Sequence, residues 1–311
     1  MIDVAIIGAG ITGLACARRL THAGARPVLF DKGRGIGGRV ATRRAEGRQY
    51  DHGAQYVTSK GDAFAIVLRE LETSGVAAPW LDGTGRPRLV GVPGMSALAR
   101  AMAAGLDVRL GAQVTAVHAA GDGWRLRVGD AEHQAARVVV TVPAPQVAGL
   151  LGADQPLVAA IAAVRLDPCL TLMATVGSPA RFVTREDPDA PLAWIAQDSS
   201  KPGRPPGDAV SWVAQAGAKF SSEHLEADPV VIAALMLPLL CDRLGVSPDA
   251  VTHAAAHRWR YARVVAPLGQ PFLRDRGATL YLGGDWCIGP RVEAAWTSGA
   301  AIAADLLGAA E

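Results

Sequence analysis

The residues of this 311-residue chain that could do chemistry sit in or beside glycine-rich stretches. The first stretch is Gly8-Ala9-Gly10-Ile11-Thr12-Gly13, with Asp31 about twenty residues further on. Such spacing is built for a dinucleotide. Gly8 makes the tight turn, Gly10 lets backbone approach a pyrophosphate, and Gly13 lets the next helix pack on the preceding strand. The helix start at Ile11 and Thr12 offers free N–H groups and partial positive charge to phosphate, and a carboxylate at Asp31 can bind ribose hydroxyls. A second stretch runs Lys32-Gly33-Arg34-Gly35-Ile36-Gly37-Gly38-Arg39. It holds too many glycines to continue a helix. Its backbone N–H groups, with the Arg39 guanidinium beside them, make another place to meet phosphate. Tyr50-Asp51-His52-Gly53-Ala54-Gln55-Tyr56 suggests a tight turn or bulge near a ligand. His52 could serve as a base, although a half-buried loop histidine is the plainer reading. Near the C-terminus, Gly283-Gly284-Asp285 precedes Arg291-Val292-Glu293, a carboxylate at a strand end followed by a helix start. No acid–base constellation stands out.

The elements that must position these residues follow from periodicity. An apolar run at 2–7 reads as a strand, 14–20 as a helix and 27–30 as a second strand. Phe64, Val67, Leu68 and Leu71 place a helix over 61–75, and Gly83, Gly85 and Pro87 mark a turn. A strand at 88–92 is ended by Pro93-Gly94, and a helix covers 95–104. Strands are expected at 113–120, 124–128 and 137–141, with a hairpin turn at Gly121-Asp122-Gly123. From about residue 145 the signals change. Prolines cluster at Pro188, Pro191, Pro202, Pro205 and Pro206, strand-like runs fall at 170–176, 192–196 and 209–215, and a helix spans 229–244. Trp194, Trp212 and Trp259 read first as core residues. A last strand at 279–283 and a helix at 291–307 return to the first unit.

Composition excludes several classes. Half the residues are hydrophobic and the net charge is +2, which argues against a large basic field over the whole chain. No basic run is interleaved with aromatics, and a nucleic-acid partner is not expected. Cys16, Cys169, Cys241 and Cys287 are scattered, which suits neither a disulfide framework nor a zinc site and fits a reducing compartment. The apolar N-terminus lacks a basic leader region, and no run of about eighteen apolar residues occurs. A cytoplasmic protein without a membrane span is the expectation.

Taken together, the dinucleotide turn, Gly38-Arg39 with Thr42, and Asp51-x-Gly53-Ala54-Gln55 resemble the flavin-binding family of amine oxidases, phytoene-type desaturases and renalases. Within it the chain is most similar to the bacterial renalase-like group. That group shares the loop at residues 30–39, Gly53-Ala54-Gln55-Tyr56, the Gly91-to-Ser96 segment, and Asp285-Trp286-Cys287 followed by Arg291-Val292-Glu293. Ser200-Lys201-Pro202 and His257-Arg258-Trp259 through Tyr261 also resemble its segments. The resemblance implies an α/β fold: a Rossmann-like FAD-binding domain with a β-meander (1–55, 91–144 and 273–311) and an inserted α+β substrate domain (56–90 and 145–272). It implies FAD, held by Gly8, Gly10, Ile11, Thr12, Gly13, Asp31, Lys32, Gly38, Arg39, Ala54, Gln55, Tyr56, Val114, Gly284, Asp285, Arg291 and Val292. Asp31 would bind the adenosine ribose, Arg39 would lie near the pyrophosphate, and Val114 would offer a backbone contact to adenine. Asp285 would hold the ribityl chain, and the last helix would present N–H groups to the flavin.

Amine oxidases tend to carry an aromatic residue where Arg291 stands. A guanidinium there would repel an ammonium substrate and favour a phosphate- or carboxamide-bearing one, or the reduced anionic flavin. Ala294 replaces a glycine frequent among the renalase-like relatives. Those enzymes oxidise 2- or 6-dihydro isomers of NAD(P)H to NAD(P)+ and pass the electrons to O2 as hydrogen peroxide. Hydride leaves and an aromatic pyridinium results, so no base is required. The expected function is that oxidase reaction, with Trp194, His257 and Arg291 as substrate residues. An amine or other small-molecule oxidase, a non-catalytic flavoprotein redox sensor and a flavin-free nicotinamide dehydrogenase are the alternatives.

Overall fold

The computed structural model describes residues 1–177, 181–207 and 209–308. β1 (Ile2–Ile7) leads through the glycine turn into α1 (Ile11–His22) and β2 (Val28–Asp31). β3 (Thr42–Ala45) and β4 (Arg48–Asp51) then form a hairpin. Its turn residues Glu46 and Gly47 both have positive φ, 50° and 71°, which suits the right-handed twist of the flanking strands. α2 (Asp62–Thr73), β5 (Ala77–Pro79), β6 (Leu89–Gly91), α3 (Ser96–Met102) and β7 (Asp107–Leu110) follow. Next comes the meander of β8 (Val114–Ala120), β9 (Gly123–Val128) and β10 (Ala131–Val140). α4 (Ala144–Leu151) and α5 (Pro156–Ala160) lead to β11 (Arg165–Val176), β12 (Thr184–Glu186), β13 (Leu192–Gln197) and β14 (Val210–Ala216). After α6 (Ala218–Glu223) and α7 (Pro229–Leu244), β15 (Val251–Ala266) crosses back. β16 (Phe272–Arg274), β17 (Leu280–Gly283) and α8 (Val292–Leu306) close the chain.

The first sheet runs β16-β17-β10-β1-β2-β7, with β8 and β9 hung on β10. β1 pairs in parallel with both β10 and β2, and β10 pairs in parallel with β17. A parallel strand covered on both faces reads as a continuous apolar run, and Val4 to Ile7 is buried throughout. Its side chains alternate between two layers. Val4 and Ile6 join α1, α3 and α8 in one core, whereas Ala5 and Ile7 join the meander, α4 and α5 in the other. α8 lies so close to α1 that a Cβ on Gly299 would clash with the Thr12 carbonyl.

The second sheet runs β12-β13-β14-β11-β15 and is antiparallel throughout. Ile232, Met236 and Leu240 of α7 cover one face against Leu170, Leu172, Ala174 and Trp212. On the other face Met173 and Val213 pack on Tyr50 of β4. The β3–β4 hairpin is therefore the plate on which the second sheet rests, and it brings that sheet over the glycine loops.

The fold is the α/β arrangement expected from the sequence, with a parallel sheet plus antiparallel ones. The helix expected at 229–244 has those bounds. Phe64, Leu68 and Trp80 belong to the core under α1 and α8, and residues 145–164 pack beneath the meander through Val147, Leu157 and Ile161. Among the described residues, no helix is long and apolar enough to cross a membrane.

Candidate functional site

The turn after β1 is set by backbone contacts. A Cβ on Gly13 would clash with the Gly8 carbonyl oxygen, so only glycine lets α1 start this close to the strand. Gly10 is different: a Cβ there would meet nothing within 4 Å, and the open space on that side is the cleft. Asp31 ties the two glycine stretches together. One carboxylate oxygen accepts from the Ala9 N–H at 2.7 Å and the other from the Gly33 N–H at 2.6 Å. Each oxygen keeps a lone pair for a ribose hydroxyl. The second loop is pinned by the Gly37 N–H donating to the Ala9 carbonyl at 2.9 Å.

Arg39 joins the N-terminal loops to the C-terminal motif. Its guanidinium donates to both carboxylate oxygens of Asp285, at 2.9 and 2.6 Å, and to the Ala262 carbonyl at 2.8 Å. Two of its five N–H groups remain for another acceptor. The Ala54 N–H donates to the Arg39 carbonyl at 2.9 Å, and Gly53 lies against that carbonyl so closely that any Cβ would clash. At the start of α8 the buried Glu293 accepts from the Gly61 N–H at 2.7 Å and the Lys60 N–H at 3.0 Å. Its other oxygen stands 3.1 Å from the Arg291 guanidinium, so this carboxylate ties the backbone leading into α2 to the start of α8 and pairs with Arg291.

Behind the cleft wall lies a fully buried network of four charges. Lys201 pairs with Asp198 at 2.7 Å and Asp51 at 3.2 Å, and donates to Gln55 at 3.2 Å. Arg204 pairs with Asp198 at 3.1 Å and also with Asp51. Asp51 further accepts from Thr42 at 2.6 Å and from the Met95 N–H at 2.9 Å. Burial would raise Asp198, but Lys201 and Arg204 outweigh it and hold the carboxyl below the usual range. For Asp51 burial wins and pushes its carboxyl up, against the pull of Lys201 and Arg204. Two cations on two carboxylates satisfy each other, as buried charges must. The network locks β4, the 198–204 segment and the start of α3 to one another.

The cleft has a volume of about 2150 Å³, well above the roughly 300–1,000 Å³ of an ordinary small-ligand pocket. It runs from Gly8, Gly10, Asp31 and Val114 at one end, past Arg39 and Asp285, to Trp194, Gln215, His257 and Trp259 under the second sheet. That far end has an aromatic wall. His52 stacks on Trp259 with centroids 5.2 Å apart, and His257 meets Trp259 at 4.3 Å and His52 at 4.8 Å, both edge-on. The Trp259 indole N–H donates to the His52 carbonyl at 2.7 Å. Burial, helped by His257, drives the His52 imidazole down to about 4, and burial also lowers His257. Both rings are neutral at pH 7.

Of the residues expected to hold a cofactor, Gly8, Gly10, Ile11, Thr12, Asp31, Lys32, Gly38, Arg39, Ala54, Val114, Gly284, Asp285, Arg291 and Val292 line this cleft. Trp194 and His257, expected at the substrate, line it as well. Three do not line it. Gly13 is occupied in helix–strand packing. Gln55 donates to the Asp51 and Gly53 carbonyls and accepts from Lys201, which uses it inside the charge network. Tyr56 turns away to pack on the buried Arg88, 4.2 Å from its guanidinium, and toward Trp194 at 5.8 Å. Arg39, expected at a pyrophosphate, is committed first to Asp285. Sequence reasoning missed Asp198, Arg204 and the hold of Glu293 on the Lys60–Gly61 backbone. The one available signal was the cluster of charges in 198–204 directly after an apolar strand.

These residues fit FAD. Gly10 leaves a cradle that a Cβ would fill, the helix start and the Arg39 N–H groups suit a diphosphate, and the cleft volume of about 2150 Å³ has room for a dinucleotide and more.

Comparison with known proteins agrees. Residues 6–71 match the NAD(P)-binding Rossmann-like domain model, and residues 78–307 match that of the flavin containing amine oxidoreductases. AofH of Mycobacterium tuberculosis, assigned as a flavin-containing monoamine oxidase, is 37% identical over 70 residues, covering 22% of this chain and 15% of that protein. A 4,4'-diapophytoene desaturase of Staphylococcus haemolyticus is 39% identical over 69 residues, covering 22% and 14%. The aligned segment thus spans only about a seventh of the length of these relatives. The fold of a structure from Exiguobacterium assigned as a protoporphyrinogen oxidase superposes with a TM-score of 0.80 at 13% identity, covering 98% of each chain. Putrescine oxidase bound to putrescine gives 0.74 at 15% identity over 99% of each chain. The model match over residues 78–307 spans most of the sequence: the chain belongs to the flavin-containing amine oxidoreductase family, and its cofactor is FAD.

Proposed function

We propose that this protein is an oxidase that takes hydride from 2- or 6-dihydro isomers of NAD(P)H and returns NAD(P)+. The overall balance is dihydronicotinamide, O2 and one proton to pyridinium and hydrogen peroxide. Bound FAD supplies a two-electron acceptor for the hydride. The observation that carries this reading is the charge of the cleft. On a chain of net charge +2, ten Arg or Lys side chains line it against four Asp or Glu. Two of the four acids, Asp31 and Asp285, are already held by backbone N–H groups or by Arg39. Such a field attracts a substrate carrying phosphates and disfavours an ammonium.

The chain's own residues then divide the work. Gly10 and the start of α1 would admit the diphosphate of FAD, and Asp31 would bind its ribose. Arg39 and Asp285 fix each other, so neither is free to swing. His52, His257 and Trp259 offer flat aromatic surfaces to a planar ring. Because both imidazoles stay neutral, they do not oppose the positive charge that appears on the pyridinium product. Glu293 holds Arg291 at the edge of the cleft. No side chain has to remove a proton, because loss of hydride alone makes the ring aromatic. The dominant demand on the protein is position. Peroxide formation supports the reading if it follows 2- or 6-dihydro-NAD(P) and is absent with primary amines. Turnover of an amine with no response to either isomer would replace it with an amine-oxidase function.

A further inference from the structure

We infer that a groove beside the outer edge of β15 is a subsite for the adenosine half of the dinucleotide substrate. This rests on the dihydronicotinamide reading above and extends it to a part of the molecule distant from the reacting ring. The groove has a volume of about 510 Å³, within the roughly 300–1,000 Å³ of ligand pockets. Val230 and Ala233 of α7 and Ala254 of β15 give it small apolar walls, suited to the faces of a flat base. Among the described residues β15 is the end strand of its sheet and pairs only with β11. Alternate backbone N–H and C=O groups along its outer side are therefore free to read the polar edge of a base.

Charge completes the argument. Arg43, His257 and Arg258 line both this groove and the main cleft, so the two spaces share one wall. His257 is also the ring that packs edge-on against His52 and Trp259. A dinucleotide with its nicotinamide on that aromatic wall and its adenine in the groove must carry its diphosphate across this boundary. Arg258 is partly used there, donating to the Leu225 carbonyl at 2.6 Å. Arg43 is exposed and has no ion-pair partner among the described residues. A free guanidinium where two nucleotide-sized spaces meet is what an anionic bridge requires.

The test uses FAD-loaded protein, so that the FAD cradle is already filled, and two probes: ADP-ribose, which lacks the reacting ring, and the dihydro isomers of nicotinamide mononucleotide, which lack the adenosine. Ala254→Tyr fills the groove with a residue that an edge strand tolerates, and Arg43→Glu reverses the bridging charge. ADP-ribose should bind the parent protein once per chain by calorimetry and compete with the dinucleotide. Each variant should weaken ADP-ribose and raise KM for the dinucleotide isomers by about tenfold or more. Ala254→Tyr should leave kcat/KM for the mononucleotide isomers within about twofold. Absence of ADP-ribose binding to the parent protein overturns the proposal, as does an equal loss for dinucleotide and mononucleotide. Should the parent protein oxidise no dihydronicotinamide, the functional reading falls instead, and ADP-ribose binding alone still decides the groove.

Discussion

Gly10 and Gly13 sit three residues apart in one turn, yet alanine at the two positions should fail in opposite ways. At Gly13 the new Cβ would come closer than 3.0 Å to the Gly8 carbonyl oxygen, which belongs to backbone anchored by the Gly8 N–H bond to the Phe30 carbonyl at 2.8 Å. That carbonyl cannot step aside as a flexible side chain would, and overpacking of this kind costs about 1–3 kcal/mol or more. At Gly10 the Cβ would meet nothing, and φ is −76°, which any residue adopts. Losing glycine at a helix N-cap costs a few tenths to about 1 kcal/mol. Stiffening the unfolded chain returns about 0.4–1 kcal/mol. The flavin-free Gly10→Ala protein should therefore melt within a few degrees of the parent. Its FAD affinity should fall at least tenfold, about 1.4 kcal/mol, because the methyl occupies the space a diphosphate needs. Thermal unfolding of the flavin-free proteins and fluorescence titration with FAD measure the two effects separately. Parent-like FAD binding by Gly10→Ala, or a Gly13→Ala protein as stable as the parent, would refute this account of the turn.

Further outcomes follow from the same geometry. Lys201→Met leaves Asp51 and Asp198, both with fully buried side chains, facing Arg204 alone; urea denaturation should show a loss of about 3–5 kcal/mol. His52 is held near 4, below its ordinary value of 6.5, so the unfolded chain binds the extra proton between those values and stability must fall as pH drops through that window. The contribution is on the order of 3 kcal/mol, and His52→Gln should flatten the stability profile between pH 6.5 and 4. Arg39→Lys keeps the charge but loses the fork on Asp285, and should lower both FAD retention and melting temperature, whereas an unchanged FAD content would show the pair to be dispensable.

Local pattern carried much of this fold, and its failures have identifiable causes. β1, α1 and β2 were legible because the strand is apolar throughout and the glycines leave α1 no other start. α7 was legible because Asp228 caps it and Gly245 ends it in the left-handed region. β15 was not anticipated as a strand. Its sixteen residues mix an alanine triplet with His253, His257, Arg258, Arg260 and Arg263, since an edge strand over a cleft needs no apolar alternation. The β3–β4 hairpin escaped notice because it turns at Glu46-Gly47 rather than at Asn-Gly or Asp-Gly. Most of the residues expected from the glycine motifs line the cleft, but not Gln55 and Tyr56, whose side chains answer to Lys201 and Arg88. Those partners lie far away in sequence, and nothing local announces them. The charge network was hidden for the same reason: Asp51 and Lys201 are 150 residues apart.

The most direct test of the proposed chemistry is an anaerobic titration of the FAD-loaded protein, followed by its visible spectrum. Stoichiometric bleaching of the flavin by 2- or 6-dihydro-NAD(P), with NAD(P)+ released and colour restored by air, is the result expected here. A flavin that stays oxidised with both isomers but is bleached by an amine would contradict it.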